Sequence, residues 1–249
     1  MTLHPNLHTA FAQGHALKII SGLTNFDLTN VLAVAKAAQQ CGATFVDIAA
    51  DADLVRQVSQ HISLPICVSA IDPEAFLAPV AAGATLIEIG NFDAFYAQGL
   101  RFEAKDVLTL TQRTRELLPH IMLSVTVPHT LPLNEQVQLA EDLVAMGADI
   151  IQTEGGTSTK PVHPGTLGLI EKATHTLAAA HAISRAVRIP VLCASGISDV
   201  TAPMAIAAGA AGVGVGSAVN KLKSEIAMIA AVRRLHEALQ TVTRSAEKV

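Results

Sequence analysis

Two carboxylates and an amide recur at one position of an internal repeat, and that recurrence is where this sequence first suggests chemistry. The segments Cys41-Gly-Ala-Thr-Phe-Val-Asp-Ile-Ala49, Ala82-Gly-Ala-Thr-Leu-Ile-Glu-Ile-Gly90, Met146-Gly-Ala-Asp-Ile-Ile-Gln-Thr-Glu154 and Ala208-Gly-Ala-Ala-Gly-Val-Gly-Val-Gly216 share a Gly-Ala pair followed by an extended run. Aligned on that pair, they bring Asp47, Glu88, Gln152 and Gly214 into register, with Ala49, Gly90, Glu154 and Gly216 two residues further on. Residues two apart on a strand share a face. The alternate positions, Val46, Ile48, Ile87, Ile89, Ile151 and Val213, are apolar and suit packing under helices. The polar set is therefore expected to point inward, as one layer of two acids and an amide with Glu154 above it.

Enclosed charges are costly unless paired. Lys18, alone in the apolar run Ala16-Leu-Lys-Ile-Ile-Ser21, is the expected partner. One account is a buried Lys–carboxylate network that only fills the interior. The other is an active site in which Lys18, Asp47, Glu88, Gln152 and Glu154 are catalytic. The acids would move protons, and a Lys18 kept partly neutral by desolvation would form a Schiff base that borohydride traps. Three acids converging below ligand-type loops favour the second account.

Those loops are Ala194-Ser-Gly-Ile-Ser198 and Gly214-Val-Gly-Ser-Ala218, each setting glycine and small residues ahead of a helix. Exposed backbone N–H groups and a positive helix end form an anion site. Ser195, Gly196, Gly214, Gly216 and Ser217 are the expected phosphate-binding residues, although the same glycines also serve tight turns. The long segment from Gly155 to Gly165, with Lys160 and His163, reads as a lid over a polar ligand. Asn25 and Asn91 are candidates for the rim, Asp27 reads as a helix cap, and His129 reads as a polar rim residue rather than a base.

The elements needed to position these groups alternate. Four strands are the repeats. Three more begin at prolines, Pro65-Ile-Cys-Val-Ser-Ala70, Pro119-His-Ile-Met-Leu-Ser-Val-Thr-Val127 and Pro190-Val-Leu-Cys-Ala-Ser195, and Ala16–Ser21 opens the series. Helices are expected near Leu28–Gln40, Asp53–Gln60, Pro73–Ala82, Ala104–Leu118, Leu133–Met146, Thr166–Ala186, Val200–Ala208 and Ser217–Thr241. Eight βα units with short turns close a single (β/α)8 TIM barrel over residues 1–249. A doubly wound open sheet is the runner-up, but it has no use for a fourfold repeat of strand pairs.

Half of the residues are hydrophobic and only 15% charged, which suits a parallel sheet buried on both faces. Aromatics make up 3%, so the core must be aliphatic. A net charge of −4 offers no basic patch, and no nucleic-acid partner is expected. Cys41, Cys67 and Cys193 are too few and too scattered for a disulfide framework or a zinc cluster, and no metal centre is expected. Met1 to Asn6 lacks the pattern of a signal peptide. The uncharged stretch from Val200 to Asn220 is long enough to span a bilayer, but its glycines and alanines read as a buried helix and strand, so no membrane insertion is expected.

Several motifs together carry a family likeness. Leu17-Lys-Ile-Ile-Ser-Gly22 with Asn25-Phe-Asp27, Ile87-Glu-Ile-Gly-Asn-Phe-Asp93, Ser124-Val-Thr-Val-Pro-His129, Ala148-Asp-Ile-Ile-Gln-Thr-Glu-Gly-Gly-Thr-Ser158 and Cys193-Ala-Ser-Gly-Ile-Ser198 resemble the conserved hypothetical chloroplast reading frame twenty-three family of cyanobacteria and algal plastids. The resemblance spans nearly the whole chain. It implies a photosynthetic host, and the cyanobacterial cytosol or the plastid stroma, but no reaction. The ends of strands seven and eight also resemble those of phosphate-binding barrels such as sugar-phosphate epimerases, thiazole synthase and the FMN barrels.

The leading expectation is an enzyme of the lyase, isomerase or synthase class acting on a small phosphorylated carbonyl compound, with no cofactor required and a homo-oligomeric state. An FMN-dependent oxidoreductase, with Lys18 and Gln152 addressing the flavin ring, is one alternative. A non-catalytic metabolite-binding barrel in photosynthetic regulation is the other.

Overall fold

A computed structural model describes residues 5–242; Met1 to His4, where the sequence is expected to carry no signal peptide, and the end of the chain beyond Val242 lie outside the described residues. Eight parallel strands hydrogen-bond in sequence order, and the eighth closes on the first, which makes the expected barrel. In chain order the elements are α1 (Pro5–Gln13), β1 (Ala16–Ile20), α2 (Leu28–Gln40), β2 (Phe45–Ala49), α3 (Ala52–Ser59), β3 (Ile66–Ala70), a 3-10 turn (Pro73–Phe76) leading into α4 (Leu77–Ala81), β4 (Leu86–Ile89), α5 (Asp93–Tyr96) and α6 (Ala104–Leu117). There follow β5 (Met122–Thr126), α7 (Leu133–Ala145), β6 (Ile150–Gln152), α8 (Gly165–Lys172), α9 (Thr174–Ala186), β7 (Val191–Ala194), α10 (Ala202–Ala207), β8 (Gly212–Val215), α11 (Ser217–Asn220) and α12 (Glu225–Gln240).

Helix starts follow side-chain chemistry. Asp27 caps α2 by accepting from the amides of Thr29 and Asn30, and Asp51 caps α3 through the amide of Leu54. The outward faces of the strands, among them Val46, Ile48, Ile87, Ile89, Ile151 and Val213, join the helices in one aliphatic core. Among the described residues, no helix is long and apolar enough to cross a membrane. Cys41, Cys67 and Cys193 are buried free thiols.

Three expected helices differ in extent. The span Thr166–Ala186 is two helices, broken where the Thr174 hydroxyl bonds the Glu171 carbonyl at 2.8 Å. The span Ser217–Thr241 breaks after Asn220, whose amide donates to the carbonyls of Ile20 (3.1 Å) and Ser21 (2.9 Å) and so ties α11 to the end of β1. The span Val200–Ala208 is trimmed to α10. The sequence reading also lacked α1. Leu7 and Phe11, one turn apart on this helix, plug the bottom of the barrel against Ala16, Phe45, Cys67, Leu86, Ile150, Leu192 and Ala211.

Candidate functional site

Strand register sets the interior in layers. Lys18, Cys67, Ser124 and Leu192 come from odd strands; Asp47, Glu88, Gln152 and Gly214 come from even strands and form the next layer toward the mouth. Lys18 Nζ lies 2.6 Å from Glu88 Oε2, 3.0 Å from Gln152 Oε1 and 3.2 Å from Asp47 Oδ2. Ser69 donates to Asp47 (2.6 Å), Ser124 to Glu88 (2.8 Å), and Gln152 Nε2 to Glu88 Oε1 (2.7 Å). Gly214 leaves room for this knot: a Cβ there would stand 2.8 Å from the Ala194 Cβ and 3.4 Å from Gln152 Oε1.

Burial opposes charge on Lys18, but Asp47 and Glu88 outweigh it and hold its pKa above the ordinary lysine value. Burial pushes Asp47 up to about 6 against the pull of Lys18. Two carboxylates within 3.2 Å favour the ammonium form of the buried Lys18, against the expectation that desolvation leaves part of it neutral. Burial raises Cys67 as well, which favours its neutral thiol form.

A cavity of about 680 Å³ opens at the C-terminal mouth. Gln152 and Glu154 line it, with Asn25, Asn91, Gly196, Gly216 and Ser217. Lys18, Asp47 and Glu88 are not among its lining residues and are at most 1% exposed. The expected catalytic set is thus divided: Gln152 and Glu154 face the cavity, and the other three lie beneath its floor. Asn91, at φ +60°, links the levels by donating from its side chain to Glu88 Oε1 at 3.1 Å.

Glu154 belongs to a second cluster. Its carboxylate accepts from the Tyr96 hydroxyl, from the amide of Asp93 (3.1 Å), and from the amide and Nδ1 of His129 (both 3.2 Å). Burial and the neighbouring Asp93 raise the Glu154 pKa, only partly offset by bonds from His129 and Tyr96. Burial disfavours the His129 imidazolium, yet its bond to Glu154 and the charges of Asp93 and Glu154 hold its pKa above the ordinary value. One ligand-type atom from each of Asp93, His129 and Glu154 lies within 4.8 Å of the other two.

The anion loops are more tightly built than glycine content alone suggests. Gly156 packs on Gly196, where a Cβ would come within 2.4 Å of the Gly196 backbone. The Ser195 hydroxyl donates to Asp93 Oδ2 (2.7 Å) and accepts from the amide of Gly156 (2.9 Å). Its one proton is committed, so Ser195 can offer a ligand its backbone but not its O–H. Gly216 is open, with the nearest atoms to a Cβ at 3.6 Å. Lys172 and Lys221 complete the lining, whereas Lys160 and His163 of the expected lid do not reach it. His163 is held instead by Glu171 on the surface.

The sequence alone does not single out Asp93, Tyr96, Lys172 or Lys221, and it presents His129 as a rim residue. The signal for Asp93 was present in the twin tripeptides Asn25-Phe-Asp27 and Asn91-Phe-Asp93. Both aspartates line the mouth cavity, but Asp27 caps α2 whereas Asp93 joins His129 and Glu154, a difference fixed by long-range contacts that the twin motif does not encode.

Comparison with known proteins follows these lines. A family described as a protein of unknown function, DUF561, matches residues 3–245. An uncharacterized protein ycf23 of Pyropia yezoensis is 37% identical over 240 residues, covering 96% of this chain and 88% of its relative. One from Cyanophora paradoxa is 48% identical over 218 residues, covering 87% and 89%. Among solved structures, (S)-3-O-geranylgeranylglyceryl phosphate synthase from Thermoplasma acidophilum, in complex with its substrate sn-glycerol-1-phosphate, superposes with a TM-score of 0.64 at 14% identity, covering 97% of this chain and 100% of that one. A 3-hexulose-6-phosphate synthase gives 0.64 at 15% identity, covering 90% and 99%. These two likenesses establish a shared barrel.

Proposed function

The chain belongs to the DUF561 family of proteins of unknown function, the family of the ycf23 proteins, and from that premise we propose that it is an enzyme acting on a small phosphorylated, carbonyl-containing metabolite by acid–base chemistry at the barrel mouth. The observation that carries this reading is one cavity whose lining includes Asp93 and Glu154 together with Gly196, Gly216, Ser217, Lys172 and Lys221. Backbone amides at the βα loops and two ammonium groups suit a phosphate. A buried carboxyl with a raised pKa, beside an imidazole, suits proton transfer near neutral pH. The synthases of similar fold, whose names carry phosphorylated compounds, support the substrate class.

In this reading Glu154, with His129, handles the proton and Gln152 offers its amide at the cavity floor. Lys18 is electrostatic: its charge, fixed between Asp47 and Glu88, holds Gln152 in place and favours negative charge developing above it. The Schiff-base route finds less support, because Nζ is enclosed and charged. The flavin alternative weakens on the same ground, since Lys18 and Gln152 are bonded to each other at 3.0 Å. The reading extends to a homo-oligomer in the cyanobacterial cytosol or plastid stroma. The relatives from Pyropia and Cyanophora favour such a host.

Binding of inorganic phosphate and of a triose phosphate, followed by calorimetry on the parent and on Gly216→Leu, tests the cradle. Loss of binding in a folded variant supports it; unchanged binding overturns it. Native mass spectrometry of protein from a cyanobacterial or algal host would identify the retained metabolite.

A further inference from the structure

Asp93, His129 and Glu154 come from three successive strand ends, after β4, β5 and β6, and their functional atoms meet beside the mouth cavity, which Asp93 and Glu154 line. His129 Nδ1 stands 3.2 Å from Glu154 Oε1 and 3.5 Å from Asp93 Oδ1. Adjacent ligand atoms around an ion at about 2.1 Å lie roughly 3.0 Å apart in an octahedral shell and about 3.4 Å apart in a tetrahedral one. The three side chains are at most 9% exposed. Two carboxylates beside one imidazole leave a net negative charge there even when the imidazole is protonated, and buried charge of that kind calls for a counter-ion.

Both carboxylates are also held from behind. The Tyr96 hydroxyl and the amides of Asp93 and His129 fix Glu154. The hydroxyls of Ser195 and Ser158 and the amide of Gly155 fix Asp93. Six donors from four separate loops set the orientation of two acids, which is how outer partners orient metal ligands. Asp93 and Glu154 line the same cavity as the glycine cradle, and Asp93 is bonded to Ser195 of that cradle, so an ion held there lies beside any molecule whose phosphate occupies it.

We propose that Asp93, His129 and Glu154 bind a divalent transition-metal ion of the Mn2+ class, its remaining positions open to the mouth cavity. Two carboxylate oxygens and one imidazole nitrogen suit Mn2+, Fe2+ or Zn2+ better than the all-oxygen shells of Mg2+ and Ca2+. The ion takes the position of the proton shared by His129 and Glu154, and in the loaded protein ion-bound water takes over the proton handling given above to that pair, while the phosphate cradle of that reading is untouched. This goes beyond the function proposed above and stands without it, because the three ligands hold the ion whether or not the cradle takes phosphate.

The test uses the full chain stripped with a chelator and titrated with Mn2+, with free ion followed by electron paramagnetic resonance. The expected result is one ion per chain, with a nitrogen coupling from imidazole in the pulsed spectrum. His129→Gln should abolish that coupling, and both His129→Gln and Asp93→Asn should weaken binding roughly tenfold or more. Glu116→Gln, at an exposed surface carboxylate, should change neither. No saturable binding of Mn2+ or Zn2+ by the folded parent at millimolar ion overturns the proposal. Binding without nitrogen coupling overturns it too. If His129→Gln does not fold, the coupling in the parent decides alone. Phosphate binding in the stripped protein shows separately whether the cradle reading survives.

Discussion

Ser195 Oγ donates to Asp93 Oδ2 at 2.7 Å, a bond that crosses the mouth from the end of β7 to the start of α5. Ser195 holds a left-handed backbone, φ +69°, uncommon for a residue with a Cβ. The hydroxyl's bonds to Asp93 and to the Gly156 amide keep it there. Removing the hydroxyl in Ser195→Ala leaves a buried carboxylate and an amide short of partners, and should cost about 1–3 kcal/mol in urea unfolding. Phosphate affinity should fall by less than about threefold, because the ligand meets the backbone here. Intact stability with abolished phosphate binding would mean that the hydroxyl touches the ligand after all.

Lys18→Met should remove the shared partner of Asp47 and Glu88 and destabilise the barrel by about 3–5 kcal/mol, the range for breaking a buried ion pair. The parent should give no borohydride-trapped amine at Lys18 with a small aldehyde or ketone phosphate, since the ammonium stays charged. A trapped adduct mapped by peptide mass spectrometry would restore the Schiff-base route.

Asp47 gives a pH dependence of definite sign. Its folded pKa is raised from 3.8 to about 6, chiefly by burial, so the folded chain binds that proton more tightly than the unfolded chain. The contribution to stability is therefore complete at low pH and is lost as pH rises through about 6. Asp47→Asn lacks this loss. Between about pH 4 and pH 7 the parent should lose ground against the variant in unfolding free energy. The opposite trend would mean that Lys18 outweighs burial.

The two glycines at the ends of β4 and β8 should respond differently. A Cβ on Gly90 would sit 2.1 Å from Thr126 Oγ1, at φ +147°, so Gly90→Ala should cost several kcal/mol, in the range of overpacking with added backbone strain. Gly216→Ala meets nothing closer than 3.6 Å, at φ −107°. Its melting temperature should stay within a few degrees of the parent's, as expected for a change below about 1 kcal/mol.

How much of this was legible beforehand divides along physical lines. The barrel and its inward layer followed from the Gly-Ala repeat, because strand periodicity is local and the repeat fixed the phase of Asp47, Glu88 and Gln152. The partner of Lys18 followed from the cost of burying charge. The sequence could not tell which acids reach the cavity, since Asn91 and Gln152 cover Glu88 only once all eight strands have closed. Asp93 and His129 were hidden for the same reason: they lie 36 residues apart, and Glu154 joins them only through the order of strands. The plug α1 has just two apolar anchors, Leu7 and Phe11, too few to stand out as a helical stripe.

That plug carries a consequence for biosynthesis. Its anchors leave the ribosome well before the far part of their seat, which includes Leu192 from β7 and Ala211 just ahead of β8. At translation rates of about 5–20 residues per second, the apolar face of α1 waits on the order of ten seconds or more before its site is complete. During that interval the nascent chain exposes a hydrophobic hook whose seat is only partly made, by residues such as Ala16 and Phe45. A chaperone that holds the N-terminus until the barrel closes should therefore raise the yield of native protein, and Leu7→Asp should lower it after synthesis is complete rather than during it.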